Sequence, residues 1–302
     1  MPSLALSGIA WILIAETLFA LMRVATRVNA GALPWPAVAA VRFIGGGVVV
    51  ALVATLWRSS LRVNDRRATW LRSVFGSGSA LGVFYSLGSR SIAVGDAATL
   101  SATAPLFVAL LSAPMLGERV TRRTALGVAL GFVGVVVLVG PSFRSAAAPA
   151  LAALAGAFSY AFALIFLRRI GPNESGEAVA LHVSLVSGTL MLALAVLGVG
   201  HASSTAAPAA RPPALSLPAL AGAATAGGLA QIAITRAYAA ERAARLGAVS
   251  YAGVALTYAM ELALLRRLPS APQLAGAALI VTAGVMVAAE RGAAAVPAEA
   301  GE

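Results

Sequence analysis

Few side chains in this sequence of 302 residues are built for chemistry, and most of them stand inside long apolar runs. Glu16 lies near the middle of the first such run and Arg42 about two turns into the second. An ionisable group at membrane depth is costly, so it turns to a bundle interior or a watery cavity and finds a partner. A Glu16–Arg42 pair can contact a solute, act as a gate, or take up and release a proton at Glu16. The competing readings are a static ion pair between helices and an Arg42 whose head reaches the lipid headgroups.

His182 occupies the place in a later run that Arg42 holds in the second. Near neutral pH an imidazole titrates and can carry a proton; the alternative is a hydrogen-bonded packing residue. Gln231 and Tyr251 are the polar-tipped residues that best suit contact with an organic solute. Tyr85, Phe84, Tyr160 and Tyr258 are equally well explained by packing. Glu261 is either a structural acid or a cavity residue.

The inventory points away from catalysis. Without cysteine there is no disulfide, thiol nucleophile or Cys-ligated zinc, and two histidines leave little for a metal site. All 22 basic residues are arginine, so the lysine of a P-loop is absent, and no H-E-x-x-H occurs. Gly76-Ser77-Gly78 has no histidine at matching depth to make a nucleophile. The expectation is a protein that is not an enzyme and takes no cofactor. The net charge of +11 does not indicate nucleic acid either, because the arginines fall between apolar runs, where they set topology.

The elements that position these residues follow from composition. Hydrophobic residues make up 60% and charged residues 11% of the chain, against roughly a quarter charged in a soluble domain. Ten runs approach spanning length: residues 4–22, 37–57, 69–87, 93–115, 124–139, 149–167, 178–199, 217–235, 246–265 and 273–289. The first is read as a span rather than a cleaved signal, since no basic segment precedes it. With the N-terminus inside, fourteen arginines fall in cytoplasmic segments and six in external ones, so both termini are expected in the cytoplasm.

The chain also repeats. Arg90, Ala93, Leu100 and Leu110 align with Arg236, Ala239, Leu246 and Leu256, and after a short drift Gly127 and Leu130 align with Gly276 and Leu279. Five spans per copy is an odd number, so the second copy enters the membrane from the opposite side. The fold expected is an all-α polytopic membrane protein of ten transmembrane helices in two inverted five-helix repeats, residues 1–145 and 146–292, with a cytoplasmic tail at 293–302. Such repeats place a solute site near the midplane between the halves. Pro105 with Ser101 and Thr103, and the glycines Gly45 to Gly47, Gly227 and Gly228, loosen helices and permit close packing.

The stretch from Thr99 to Gly140 is also familiar as a pattern. A small-residue helix with Ser101 and Pro105, then Leu116-Gly117-Glu118-Arg119, then a helix carrying Gly127, Gly131 and Gly134, resembles the EamA-type half of the drug/metabolite transporter superfamily. A second trace runs from Gly227 to Gly253. The resemblance implies a secondary transporter of the bacterial inner membrane that moves a small organic solute, often an exported amino acid, related metabolite or drug, by alternating access. Proton coupling is open, as is a homodimer; a channel and a membrane scaffold or sensor are the other readings. Glu118, where the resemblance is strongest, is read as a structural anchor that pairs with Arg119, Arg122 and Arg123 at a cytoplasmic turn. The second half departs here, with Arg267 at the corresponding position.

Overall fold

The computed structural model describes residues 7–116, 121–139, 143–170, 174–200, 215–241, 246 and 249–294. The helices in them are α1 (Gly8–Val28), α2 (Trp35–Trp57), α3 (Arg66–Gly88), α4 (Val94–Ser101), α5 (Ala104–Leu116), α6 (Arg122–Val139), α7 (Phe143–Ile170), α8 (Gly176–Val196), α9 (Leu217–Ala240), α10 (Ala252–Leu265) and α11 (Ala271–Ala294). Among the described residues no strand occurs beyond the single bridge of Ala30 with Leu33. Five helices are long and apolar enough to cross a membrane: α1, α2, α8, α9 and the Ala146–Ile170 part of α7. Shorter apolar stretches lie at Val94–Val108, Ala125–Leu138, Ala252–Leu265 and Ala271–Val287.

Helix starts are written locally. Ser7, Asp65, Ser175 and Ser216 each accept the backbone N–H three residues on, from Ala10 at 3.2 Å, Ala68 at 2.9 Å, Ala178 at 3.1 Å and Ala219 at 3.3 Å. These bonds satisfy donors that an apolar surround would leave stranded. Pro105 works the other way. It offers no N–H to the Ser101 carbonyl and its ring crowds that oxygen, so the run expected to be one helix is two, α4 and α5, parted at Ala102 and Thr103. Tighter bonds bridge the gap, from Thr103 N to Leu100 O at 3.1 Å and from Leu106 N to Thr103 O at 2.9 Å.

The most extensive packings join early helices to late ones, α1 on α9, α3 on α7, α2 on α8 and α9, and α6 on α11, and α4 also meets α10. Small residues let the backbones meet. A Cβ placed on Gly228 would stand 2.6 Å from the Gly46 carbonyl oxygen, so α2 and α9 cross in direct contact. Gly276 serves the α6–α11 crossing in the same way, with Leu138 N 2.6 Å from where its Cβ would be, and Gly127 abuts Val287. The outer surface is oily. Val48, Leu52 and Leu56, one helical turn apart on α2, are 56%, 58% and 78% exposed, a stripe suited to lipid rather than water.

Two features of the arginine tally need correction. The first span runs to Val28 rather than Met22, which draws Arg23 and Arg27 into α1; Arg27 Nη2 donates to the Ile92 carbonyl at 2.6 Å. Arg72 and Arg236, counted above as loop residues, lie within α3 and α9. A long side chain at a helix end counts as loop in a hydropathy profile, yet it can fold back along its own helix. Arg66, Arg67, Arg122, Arg123, Arg144, Arg168, Arg169 and Arg291 of the same count are helical as well. Glu118 lies outside the described residues.

The ends of the bundle are laced between early and late segments. Where α1 finishes, Glu261 of α10 accepts Val94 N at 3.1 Å and Gly95 N at 2.7 Å, the opening donors of α4, with Arg267 Nε 4.0 Å away. Asp96 accepts Tyr258 Oη at 2.7 Å and Gln273 Nε2 at 2.5 Å. At the opposite end Glu174 accepts Asn64 N at 2.6 Å and Asp65 N at 2.7 Å, and Glu177 forms an ion pair with Arg236. The Arg236 guanidinium also lies 4.4 Å from the Trp57 ring centre. Of the two readings of Glu261, the helix cap is the one built.

Candidate substrate pathway

A cavity opens inside the bundle, with about 140 Å³ of room for water-sized molecules. α1, α2, α3, α4, α5, α7, α8, α9 and α10 all contribute to its wall, whereas α6 and α11 contribute no lining residue among the described residues. The α4–α5 break stands on the wall, with Ser101, Ala102 and Pro105 lining it. Backbone freed from helical bonding is tolerated at membrane depth where it lines a cavity.

Among the described residues four charged side chains line the space: Glu16, Arg23, Arg42 and Arg72. Three of them are seated on glycines. The Glu16 carboxylate occupies the room that a Cβ on Gly253 would take, the Arg42 guanidinium that of Gly227, and Arg72 Nη1 that of Gly76. Arg42 Nη2 donates to the Gly227 carbonyl at 3.2 Å, and its Cζ sits 4.0 Å from the Phe43 ring centre. Arg72 Nη2 donates to Gln231 Oε1 at 3.2 Å. Arg23 Nη1 reaches Thr257 Oγ1 at 3.4 Å.

Glu16, Arg42, Gln231 and Pro105 are thus brought to one cavity. The expected pairing of Glu16 with Arg42 is not what the helices build. Among the described residues no ion pair joins them, and the cation acting on Glu16 is Arg23, two turns along the same helix. The reason is register: positions 16 and 23 share a face of α1, while Arg42 is drawn aside by a glycine on α9. His182 is absent from the cavity wall. Its Nδ1 is 2.8 Å from Ser73 Oγ and its ring meets Trp70 edge-on at 4.8 Å, which is the packing alternative. Tyr251 is also off the wall; its buried hydroxyl fills the space over Gly284, while Ser250, Gly253 and Val254 beside it do line the cavity.

Sequence reasoning passed over Arg23 and Arg72 as pathway residues. Both lie inside or at the edge of an apolar run, the same signal that singled out Arg42.

Apolar helices wrapped around a charged inner cavity, with an oily exterior, define a multi-pass membrane protein. Residues 6–140 match the EamA-like transporter family. A stretch of 109 residues is 33% identical to an uncharacterized transporter of Archaeoglobus fulgidus, and covers 36% of this chain but only 39% of that relative. A crystal structure of 25% sequence identity shares the fold with a TM-score of 0.64, over 93% of this chain and 95% of its own. Over residues 6–140, a little under half of its length, the chain is thus EamA-like.

Proposed function

We infer that this protein is a secondary transporter that carries a small organic solute through the central cavity by alternating access. One observation carries the reading: a solute-sized cavity walled by both halves of the chain, with an interrupted helix on its surface and, among the described residues, four charged side chains lining it. The relative's description as a transporter agrees with it.

The transmembrane frame we favour is ten spans in two inverted halves, residues 1–145 and 146–292, with both termini cytoplasmic in a bacterial inner membrane. The helix pairing supports this arrangement. Exchanging α1, α2, α3, α4–α5 and α6 for α7, α8, α9, α10 and α11 turns the α1–α9 contact into the α7–α3 contact and returns α2–α8, α4–α10 and α6–α11 to themselves. Two halves so related can rock about the cavity and open it to either side in turn. Export is the direction we propose. Glu16, the one carboxylate among the lining residues, is the group we assign to proton coupling.

Purified protein in liposomes tests the reading. Uptake of a solute should saturate and should accelerate when the same solute is loaded on the far side. Flux that rises linearly with concentration and shows no such exchange would mark a channel instead.

A further inference from the structure

We propose that the cavity recognises its solute by a carboxylate, gripped between the guanidinium groups of Arg42 and Arg72. The proposal rests on the cavity being the transport site and adds the chemical class of what enters it.

Both arginines are 2% exposed, and both line the cavity. Each spends one nitrogen on the protein, Arg42 on the Gly227 carbonyl and Arg72 on the Gln231 amide oxygen. What remains is unspent: Nε and Nη1 of Arg42 and Nε of Arg72 are buried with no hydrogen-bond partner among the described residues. A buried donor without an acceptor is expensive, and a buried cation without an anion more so.

Among the described residues no carboxylate pairs with either of them. The charge acting on Arg42 is Arg72 itself, a like charge, and the other titratable side chain acting on Arg72 is Tyr160. Glu16, the one acid on the wall, already answers to Arg23. Two buried guanidiniums with unspent donors therefore line a space large enough for a small organic molecule. A planar fork of N–H donors matches the two oxygens of a carboxylate. The body of the ligand meets apolar side chains, Phe19, Phe43, Phe84, Val83 and Leu164, alternating with the hydroxyl groups of Ser79, Ser101, Ser187, Tyr160 and Tyr238. The solute that fits is a small organic acid.

Ligand-induced thermal stabilisation of the intact protein in detergent tests this without reading transport. Matched pairs that share a body and differ in the head are the probes: propionate with propylamine, hexanoate with hexylamine, phenylpropionate with phenylpropylamine. The carboxylates should stabilise the wild-type protein and the amines should not. Arg42→Gln and Arg72→Gln should each weaken carboxylate binding by about tenfold or more, while Arg67→Gln, at an exposed position, should leave it unchanged. If either cavity variant fails to fold, the wild-type pairs still decide. Amines that stabilise as well as the acids, or acids without effect, would overturn the proposal. Saturable transport of an amine in liposomes would then leave the transporter reading standing and remove the anion site alone.

Discussion

Glu261 caps a helix that belongs to the other half of the chain: its carboxylate holds the Gly95 N–H at 2.7 Å and, beside it, that of Val94 at 3.1 Å. An acid in the middle of an apolar sequence thus ends its work on the backbone, where it also meets the positive end of α4. The cap joins α10 to the interrupted helix whose far end lines the cavity.

Replacing Glu261 by Gln leaves one oxygen for two donors and removes the charge. Glu261→Gln should cost about 2 kcal/mol, read as a lower melting temperature in detergent, and Glu261→Ala should cost more. An unchanged melting temperature in both variants would show that the cap contributes nothing.

The α2–α9 crossing makes a sharper contrast. At Gly228 an added methyl meets the Gly46 carbonyl at 2.6 Å, whereas at Gly222, on the same helix, it meets nothing within 4 Å. Gly228→Ala should destabilise the protein by about 2 kcal/mol, and Gly222→Ala should leave stability equal or slightly raised. Equal melting temperatures for the two variants would contradict the crossing.

Glu16 and His182 were both readable as proton carriers, and their placements separate them. Glu16→Gln should abolish uptake driven by a pH gradient while solute exchange persists, because the neutral amide keeps the shape of the site but takes no proton. His182→Ala, at a residue bonded to Ser73 and packed on Trp70, should keep its gradient-driven uptake per folded molecule. Loss of gradient drive in the histidine variant alone would reverse the assignment.

The ten-span frame predicts where loops emerge. Reporter fusions after Pro141 and after Ala206 should both register the external side. A cytoplasmic signal at either position would break the span count.

The sequence by itself determined that the chain is helical, membrane-embedded and related to EamA-type transporters. Those conclusions depend on short-range properties: the length of apolar runs, the charges between them, and local signals such as Ser7, Asp65 and Ser216 that cap helices three residues on. It also marked Glu16 and Arg42 as costly, because a charge inside an apolar run is visible without knowing its neighbours.

Only the tertiary structure decided which groups meet. Arg42 rests on Gly227 across 185 positions of sequence and Arg72 on Gln231 across 159. Those encounters hang on helix rotation and crossing, to which hydropathy is blind. The same blindness hid that Gly253, Gly227 and Gly76 are seats for charged side chains, since a glycine in an apolar run reads equally as a packing groove. It counted Arg72 with the cytoplasmic arginines, though the residue stands inside α3 and its side chain reaches Gln231 of α9. And it left Glu261 undecided between cavity and cap until α4 was seen against it.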